Sequence, residues 1–362
     1  MNRTNELELA YAEATMEHDA SPPDENHIEL TSLDSVESKE PEWIIDGVIP
    51  KGEISEIVGP GGVGKSYYTC DIAAAVSAGQ KSLFDIAYGT EEVNTEHRKV
   101  IMFSSEDSLS VQIRRRLEAA GADLKNILSI DLSDPRFSDI RFDSDFLADI
   151  VKQEQPALMI FDPFQSFIGK INIAARNEVR NALNPLIQLG AEYGTSFLIV
   201  IHTNKKMDAY GRNRMADSAD LWDIARSVFI TGFTTEAGIR YLSHEKSNYG
   251  PMMDTILYTI ADGQVEFVGL TDNKDADYVR DFRRQKQHSA DQLDHAKEKI
   301  MSALDDGAKA VKEVDSICLA DGISPTTLRR AKTELNNNHM IREWSKGVAD
   351  NHTWYMESVK QR

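Results

Sequence analysis

Residues 54–78 read ISEIVGPGGVGKSYYTCDIAAAVSA, and three features follow one another in this stretch. Residues 54–58 are an apolar, strand-length run. Residues 59–66, GPGGVGKS, match G-x-x-x-x-G-K-[ST] at every defined position, and residues 65–78 predict a helix. A strand, a glycine-rich loop and a helix in that order form the context in which this pattern holds phosphate, and that context outweighs a chance glycine-rich turn. Gly59, Gly61, Gly62 and Gly64 allow backbone N–H groups to turn inward around Val63, and the helix N-terminus at Lys65, Ser66 and Tyr67 adds its positive end. Lys65 is expected to reach the β- and γ-phosphates of ATP, and the Ser66 hydroxyl to ligate Mg²⁺.

Strands predicted at 100–103, 157–161 and 196–201 alternate with helices at 108–120, 146–155 and 178–193. That alternation predicts an α/β fold, a mostly parallel twisted sheet with helices on both faces. Strands at 228–231, 240–244, 254–260 and 264–268 are read as antiparallel, the last two joined by Ala261-Asp262-Gly263. In parallel sheets ligands sit at the carboxyl ends of the strands, which makes the residues there candidates. Asp162 closes ALMIFD and is a candidate Mg²⁺ ligand, against a turn or capping role. Glu106, in SSED at 104–107, is the candidate base for the attacking water, with Asp107 as its competitor. His202 closes SFLIVIH and is a candidate γ-phosphate sensor, against a purely structural histidine.

The 362 residues are 41% hydrophobic and 27% charged, which excludes collagen-like and wholly disordered classes. Two cysteines, Cys70 and Cys318, are too few and too far apart for a disulfide framework or a zinc site. The net charge is −19, and residues 1–42 carry 12 acidic against two basic residues, so this segment is read as a disordered acidic tail. The longest apolar runs are strand-sized and residue 1 opens no basic-then-apolar leader. A soluble cytoplasmic protein without membrane association is therefore expected.

Residues 273–288 are polar and read as a linker. Beyond them, helices at 291–304, 308–320 and 324–336 and two short strands around Gly347 have the pattern of a winged helix over 289–362. Thr326, Thr327, Arg329, Arg330 and Lys332 form the polar set of its candidate recognition helix, with Arg342, Trp344 and Lys346 on the wing. This module is close to neutral, so duplex DNA binding would rest on one face and is weighed against a protein-binding role.

Five segments, GPGGVGKS at 59–66, SSED at 104–107, IFDPF at 160–164, IVIHTNK at 199–205 and HEKSNYG at 244–250, with the WIIDGVIPKG entry before them, resemble the RecA-like ATPases over roughly residues 43–270, within a core domain read as 43–272. That group includes recombinases and hexameric replicative helicases, and the likeness is greatest to plasmid helicases of the RepA type and their mobile-element relatives. The resemblance implies a homo-oligomeric ring, a hexamer in the helicases, with ATP held between subunits. It implies an arginine supplied by the neighbour, best matched by Arg226, with Lys246 as a second candidate. It also implies two loops that hold single-stranded DNA, residues 165–177 with Lys170 and Arg176, and residues 205–220 with Lys205, Lys206, Arg212 and Arg214. A helicase or translocase for replication of a plasmid, phage or integrated element is the activity implied, with DNA, further copies of the chain and an initiator or primase as partners. An ATP-switched DNA-binding regulator or a recombination mediator is the alternative.

Overall fold

The computed structural model describes residues 30–172, 175–204, 209–215, 219–348 and 351–359. The described residues from Glu42 on form one compact unit. Most of the acidic segment lies outside the described residues. Its described part, 30–41, holds one turn, Leu33–Ser35, with no buried side chain.

The chain enters through a short hairpin, β1 (Trp43–Ile45) and β2 (Ile49–Pro50), and continues into β3 (Ile54–Gly59), α1 (Lys65–Ala78) and α2 (Leu83–Tyr88). It then forms β4 (Val100–Ser104), α3 (Arg114–Ala119), β5 (Ile127–Leu128), α4 (Asp145–Glu154) and β6 (Leu158–Asp162). Next come α5 (Arg176–Tyr193), β7 (Ser196–His202), α6 (Ala219–Ile224) and β8 (Ser227–Phe233). β9 (Arg240–Ser247), β10 (Thr255–Ala261) and β11 (Gln264–Thr271) close the sheet. A long helix, α7 (Asp275–Ala303), leads to β12 (Lys309–Ala310), α8 (Val311–Ala320), α9 (Pro325–Asn337), β13 (Ile341–Val348) and β14 (Asn351–Ser358).

The central sheet has nine strands in the order β11-β10-β9-β8-β3-β7-β6-β4-β5. Pairing is parallel from β8 through β5 and antiparallel from β8 to β11. The strands are apolar on both sides because both faces are covered. Val58, Phe103, Phe161 and Ile199 pack with Leu183 and Leu186 of α5 on one face. Ile57, Met102, Ile160 and Leu198 pack with Tyr68, Ile72 and Leu117 from α1 and α3 on the other. This is an α/β P-loop core, and its phosphate-loop strand β3 lies between β7 and β8.

Residues 228–231, read from sequence as the first antiparallel strand, run parallel to β3. The connection from β7 crosses over through α6, and a crossover returns the chain in the same direction. The antiparallel run starts at the other edge of β8, where the connections shorten to loops of six, seven and two residues. At the β10–β11 hairpin Asp262 (φ 50°) and Gly263 (φ 82°) both adopt left-handed conformations, as a two-residue hairpin with the right strand twist requires.

α7 is a single helix of 29 residues, roughly 43 Å long, so the segment read as a linker is helical. Its first turns bury Asp275 and Tyr278 against the core, residues 281–292 bury nothing, and Leu293, Ala296 and Ile300 enter a separate core. That core gathers Val314, Leu328, Leu335, Ile341 and Met356 under a three-stranded antiparallel sheet, β12-β14-β13. The hairpin is longer than expected. Gly347 pairs with His352 inside the ladder instead of forming the turn.

Candidate active site

Four strands deliver the site, all at their carboxyl ends. In the ladder Gly59 lies opposite His202 and Ser104 opposite Asp162, so the phosphate loop, the SSED segment, Asp162 and His202 converge on one edge. The loop conformation needs glycine at two positions in particular. Gly64 caps α1 at φ 103°, and a Cβ there would stand 2.4 Å from Ile260 Cδ1. A Cβ on Gly59 would stand 2.5 Å from Thr231 Cγ2. Gly62 also has positive φ, whereas Gly61 has open space around it. The buried Val63 holds the loop to the antiparallel edge, where the Tyr258 hydroxyl donates to its carbonyl at 2.9 Å.

Lys65 is buried, and its ammonium donates to the carbonyls of Gly59 (2.8 Å) and Pro60 (3.0 Å). A lysine can only donate, so the contact of its Nζ with His202 Nδ1 at 3.3 Å makes that nitrogen an acceptor. The His202 proton then lies on Nε2, 3.4 Å from Glu106 Oε1. Burial pulls the Lys65 pKa down, while the carboxylates of Asp162 and Glu106 pull it up. Ser66 Oγ donates to Asp162 Oδ2 at 2.9 Å. Burial raises the Asp162 pKa, opposed by that hydrogen bond and by Lys65. A hydroxyl and a carboxylate side by side are hard oxygen donors and fit Mg²⁺, which takes one or two protein oxygens and completes its shell with phosphate and water.

Glu106 and Asp107 both line the cavity beside the phosphate loop; Asp107 forms an ion pair with Arg116 and its own N–H donates to Ser104 Oγ, whereas the Glu106 side chain is 59% exposed. The cavity, of about 420 Å³, is also lined by Tyr67 and by two residues missed in the sequence, Arg116 and Arg240. The Arg116 guanidinium lies 4.6 Å over the Tyr67 ring. Arg240 Nε is buried there without a hydrogen-bond partner among the described residues. Sequence periodicity could not single out Arg116 within Arg114-Arg115-Arg116. The turn at 109–113 is one residue wider than an α-turn, with the Arg114 N–H bonding to Leu109, and it shifts the phase of the helix that follows.

The remaining candidates lie elsewhere. Arg226 precedes β8 at the opposite edge of the sheet, where its N–H donates to the Ile54 carbonyl and its side chain pairs with Glu53 at 3.3 Å. Lys246, the second candidate for reaching a neighbour, is engaged within its own chain. Its ammonium donates to the carbonyls of Trp222, Asp223 and Ala225, which closes the end of α6, and it faces the buried Glu56, whose pKa burial pushes well up. Arg214, a candidate loop cation, is also engaged within its own chain. It is bound to the fully buried Asp275 and to the Tyr241 hydroxyl, so it fixes the 211–214 turn instead of facing solvent. Arg212 pairs with Asp223 at 2.7 Å and stays partly exposed.

Of the first loop, Phe167 and Ile168 are buried in the core, which leaves Lys170 on the exposed part. Arg176 starts α5. Lys205 and Lys206 lie outside the described residues. Arg329 and Arg330 are exposed on α9, while Lys332 is tied to Asp315 at 2.9 Å. Among the described residues no helix is long and apolar enough to cross a membrane.

The strand order and the convergence of Lys65, Ser66, Glu106 and Asp162 define a P-loop ATPase. A family model described as an AAA domain matches residues 21–208, just over half of the chain, and the chain belongs to that family. No curated protein matches it. Similar solved structures include a KaiC-like protein of the hyperthermophilic archaeon Pyrococcus horikoshii, 18% identical, with a TM-score of 0.42 over 64% of this chain and 98% of that one. The RadB recombinase is 13% identical, with a TM-score of 0.43 over 61% of this chain and 92% of that one.

Proposed function

We propose that this ATPase is a DNA helicase or translocase that works as a ring of identical subunits and serves replication of a plasmid, phage or integrated element. The observation that carries the proposal is the division of the catalytic set between two edges of one sheet. Lys65, Glu106, Asp162 and His202 occupy the carboxyl edge, and Arg226 the amino edge, a β3 length away. A cation so placed cannot serve the phosphate loop of its own chain, but in a head-to-tail ring it meets the loop of the next. There it would stabilise charge on the transferring phosphoryl group.

In this account Glu106 orients a water and takes its proton as the water oxygen attacks the γ-phosphorus, while the bond to the departing ADP oxygen breaks. His202, set between Lys65 and Glu106, reports the loss of the γ-phosphate to β7 and the loop beyond it. Ser66 and Asp162 would hold Mg²⁺, which supplies charge neutralisation at the phosphate oxygens. Tyr67 and Arg116 offer a ring and a guanidinium plane at the mouth of the cavity, suited to a base. Lys170, Arg212 and the loop around Lys205 and Lys206 would meet the single strand. The C-terminal module, read as a winged helix, would use Arg329 and Arg330 on duplex DNA. The likeness of the five sequence segments to RepA-type helicases supports unwinding over simple binding.

The test is displacement of a labelled strand from a forked duplex, with native mass measured in ATP. ATP-dependent displacement that Lys65→Ala abolishes supports the proposal. Hydrolysis and DNA binding without displacement from forks of either polarity would favour an ATP-switched regulator instead.

A further inference from the structure

Among the described residues two arginines line the nucleotide cavity, and they differ in what holds them. Arg116 is ion-paired with Asp107 and lies over the Tyr67 ring. Arg240 has no ion pair among the described residues. Its Nη1 donates to the Gly238 carbonyl at 3.1 Å, its guanidinium stands 5.8 Å from the Phe233 ring, and its Nε is buried without a hydrogen-bond partner.

The ladder fixes which way Arg240 points. It opens β9 at the carboxyl edge of the sheet, paired with Phe233 of β8 on one side and Tyr258 of β10 on the other. Residues paired across a ladder share a face of the sheet. The Tyr258 hydroxyl reaches the Val63 carbonyl from that face, so Arg240 stands on the phosphate-loop side, where Gly61, Gly62 and Ile260 line the cavity with it. A Cβ built on Gly61 or Gly62 meets nothing within 4 Å, so this part of the loop borders open space.

A guanidinium keeps its proton at any pH a protein tolerates and offers five donors in one plane. One of those donors is used here, and a buried N–H without an acceptor carries its full desolvation cost. Turning toward the cavity would cost this side chain a single hydrogen bond. The carboxylates of the cavity already have partners: Asp107 has Arg116, Asp162 has Ser66 and Glu106 has His202. The anion left to satisfy Arg240 is a ligand, and the planar fork matches a phosphate group.

We propose that Arg240 is a nucleotide-binding residue of its own chain, bringing a guanidinium from the antiparallel edge to the phosphates held by residues 59–66. Arg226, by contrast, is read as acting on the loop of the next subunit. The inference rests on nucleotide binding at this loop and stands apart from the DNA reading, which strand displacement tests.

The experiment measures the affinity of the full chain for a non-hydrolysable ATP analogue and for inorganic tripolyphosphate, both with Mg²⁺, by titration calorimetry. Arg240→Ala should weaken both roughly 10- to 150-fold, the range for a lost hydrogen bond to a charged group. Arg240→Lys, which keeps the charge and gives up the fork, should recover part of that loss for both ligands. The urea midpoint of Arg240→Ala without ligand should match wild type. Mixing Arg240→Ala with Lys65→Ala should restore no turnover, because both residues serve the same site in the same chain. Wild-type affinity in Arg240→Ala overturns the proposal. So does a loss for the ATP analogue alone, which puts the arginine on the base, and so does a lowered midpoint with no recovery in Arg240→Lys, which makes its role structural. Turnover restored by mixing overturns the assignment to its own chain. If wild type binds neither ligand, the nucleotide site itself has failed and this inference falls with it.

Discussion

The Ser66 hydroxyl donates to the Asp162 carboxylate across 2.9 Å, joining residues 96 positions apart in sequence. The first turn of α1 and the last residue of β6 are thereby held in register before any nucleotide arrives. The same edge places His202 between Lys65 and Glu106. Preorganisation of this kind lets charged groups act without rearranging at the moment of reaction.

Lys65→Ala and Glu106→Gln separate binding from chemistry. Lys65→Ala should lose at least about 100-fold in turnover, and Glu106→Gln about 100- to 10,000-fold, the range for a lost general base. Glu106→Gln should keep its affinity for ATP, because the side chain is largely exposed and its ion-pair contact among the described residues is with His202. Steady-state hydrolysis and equilibrium binding of a fluorescent ATP analogue check both. Retained turnover in Glu106→Gln would move the role of base to another residue.

Arg226→Ala should bind nucleotide yet lose roughly 1,000-fold or more in turnover. Mixed with Lys65→Ala, activity should partly return, since mixed interfaces pair an intact loop with an intact arginine. The pairing with Glu53 inside its own chain sets up the contrary outcome. If Arg226 serves only that ion pair, no mixing ratio exceeds the two variants alone, even when subunit exchange is verified by mass.

Asp275 accepts from the Gly211 N–H at 2.8 Å, from the Tyr241 hydroxyl at 2.7 Å and from Arg214, and it is fully buried. Asp275→Ala leaves a largely buried guanidinium without its carboxylate and should cost about 3 kcal/mol. Asp275→Asn should cost less, since the amide oxygen still accepts. Chemical denaturation curves measure both. Equal stability of Asp275→Ala and wild type would mean that the 211–214 turn is not anchored there.

His244 is stacked on Phe229 and accepts from the Met253 N–H, and burial lowers its pKa from 6.5 to about 4. The folded state therefore keeps it neutral, while the unfolded chain takes up a proton below 6.5. Its stability contribution is full above about pH 6.5 and is lost as pH falls toward 4. Relative to His244→Gln, wild type should lose up to about 3 kcal/mol across that window. Urea denaturation of both proteins over the pH series tests this, and a constant difference between them would contradict it.

The core and the placement of most candidate site residues at one sheet edge were legible in sequence because they rest on local rules. The helix predicted over 65–78 coincides with α1, and Glu106, Asp162 and His202 all sit at strand ends. What sequence could not show depended on tertiary partners. The commitment of Lys246 to the carboxyl end of α6, and of Arg214 to Asp275, is made by residues distant in the chain. The parallel direction of β8 depends on a crossover that hydrophobic pattern does not encode. Arg116 was hidden by one wide turn that changed the helical phase, and Arg240 by lying on a strand whose neighbour across the cavity is a loop.

The central claim is that hydrolysis at this site is coupled to a DNA strand. The most direct measurement is the steady-state rate of ATP hydrolysis by the full chain with and without single-stranded DNA, at matched salt. A rise in turnover with single strands that duplex DNA does not reproduce, abolished in Glu106→Gln, is the predicted result. An identical rate in both conditions, with intact hydrolysis and no strand bound, would contradict the account.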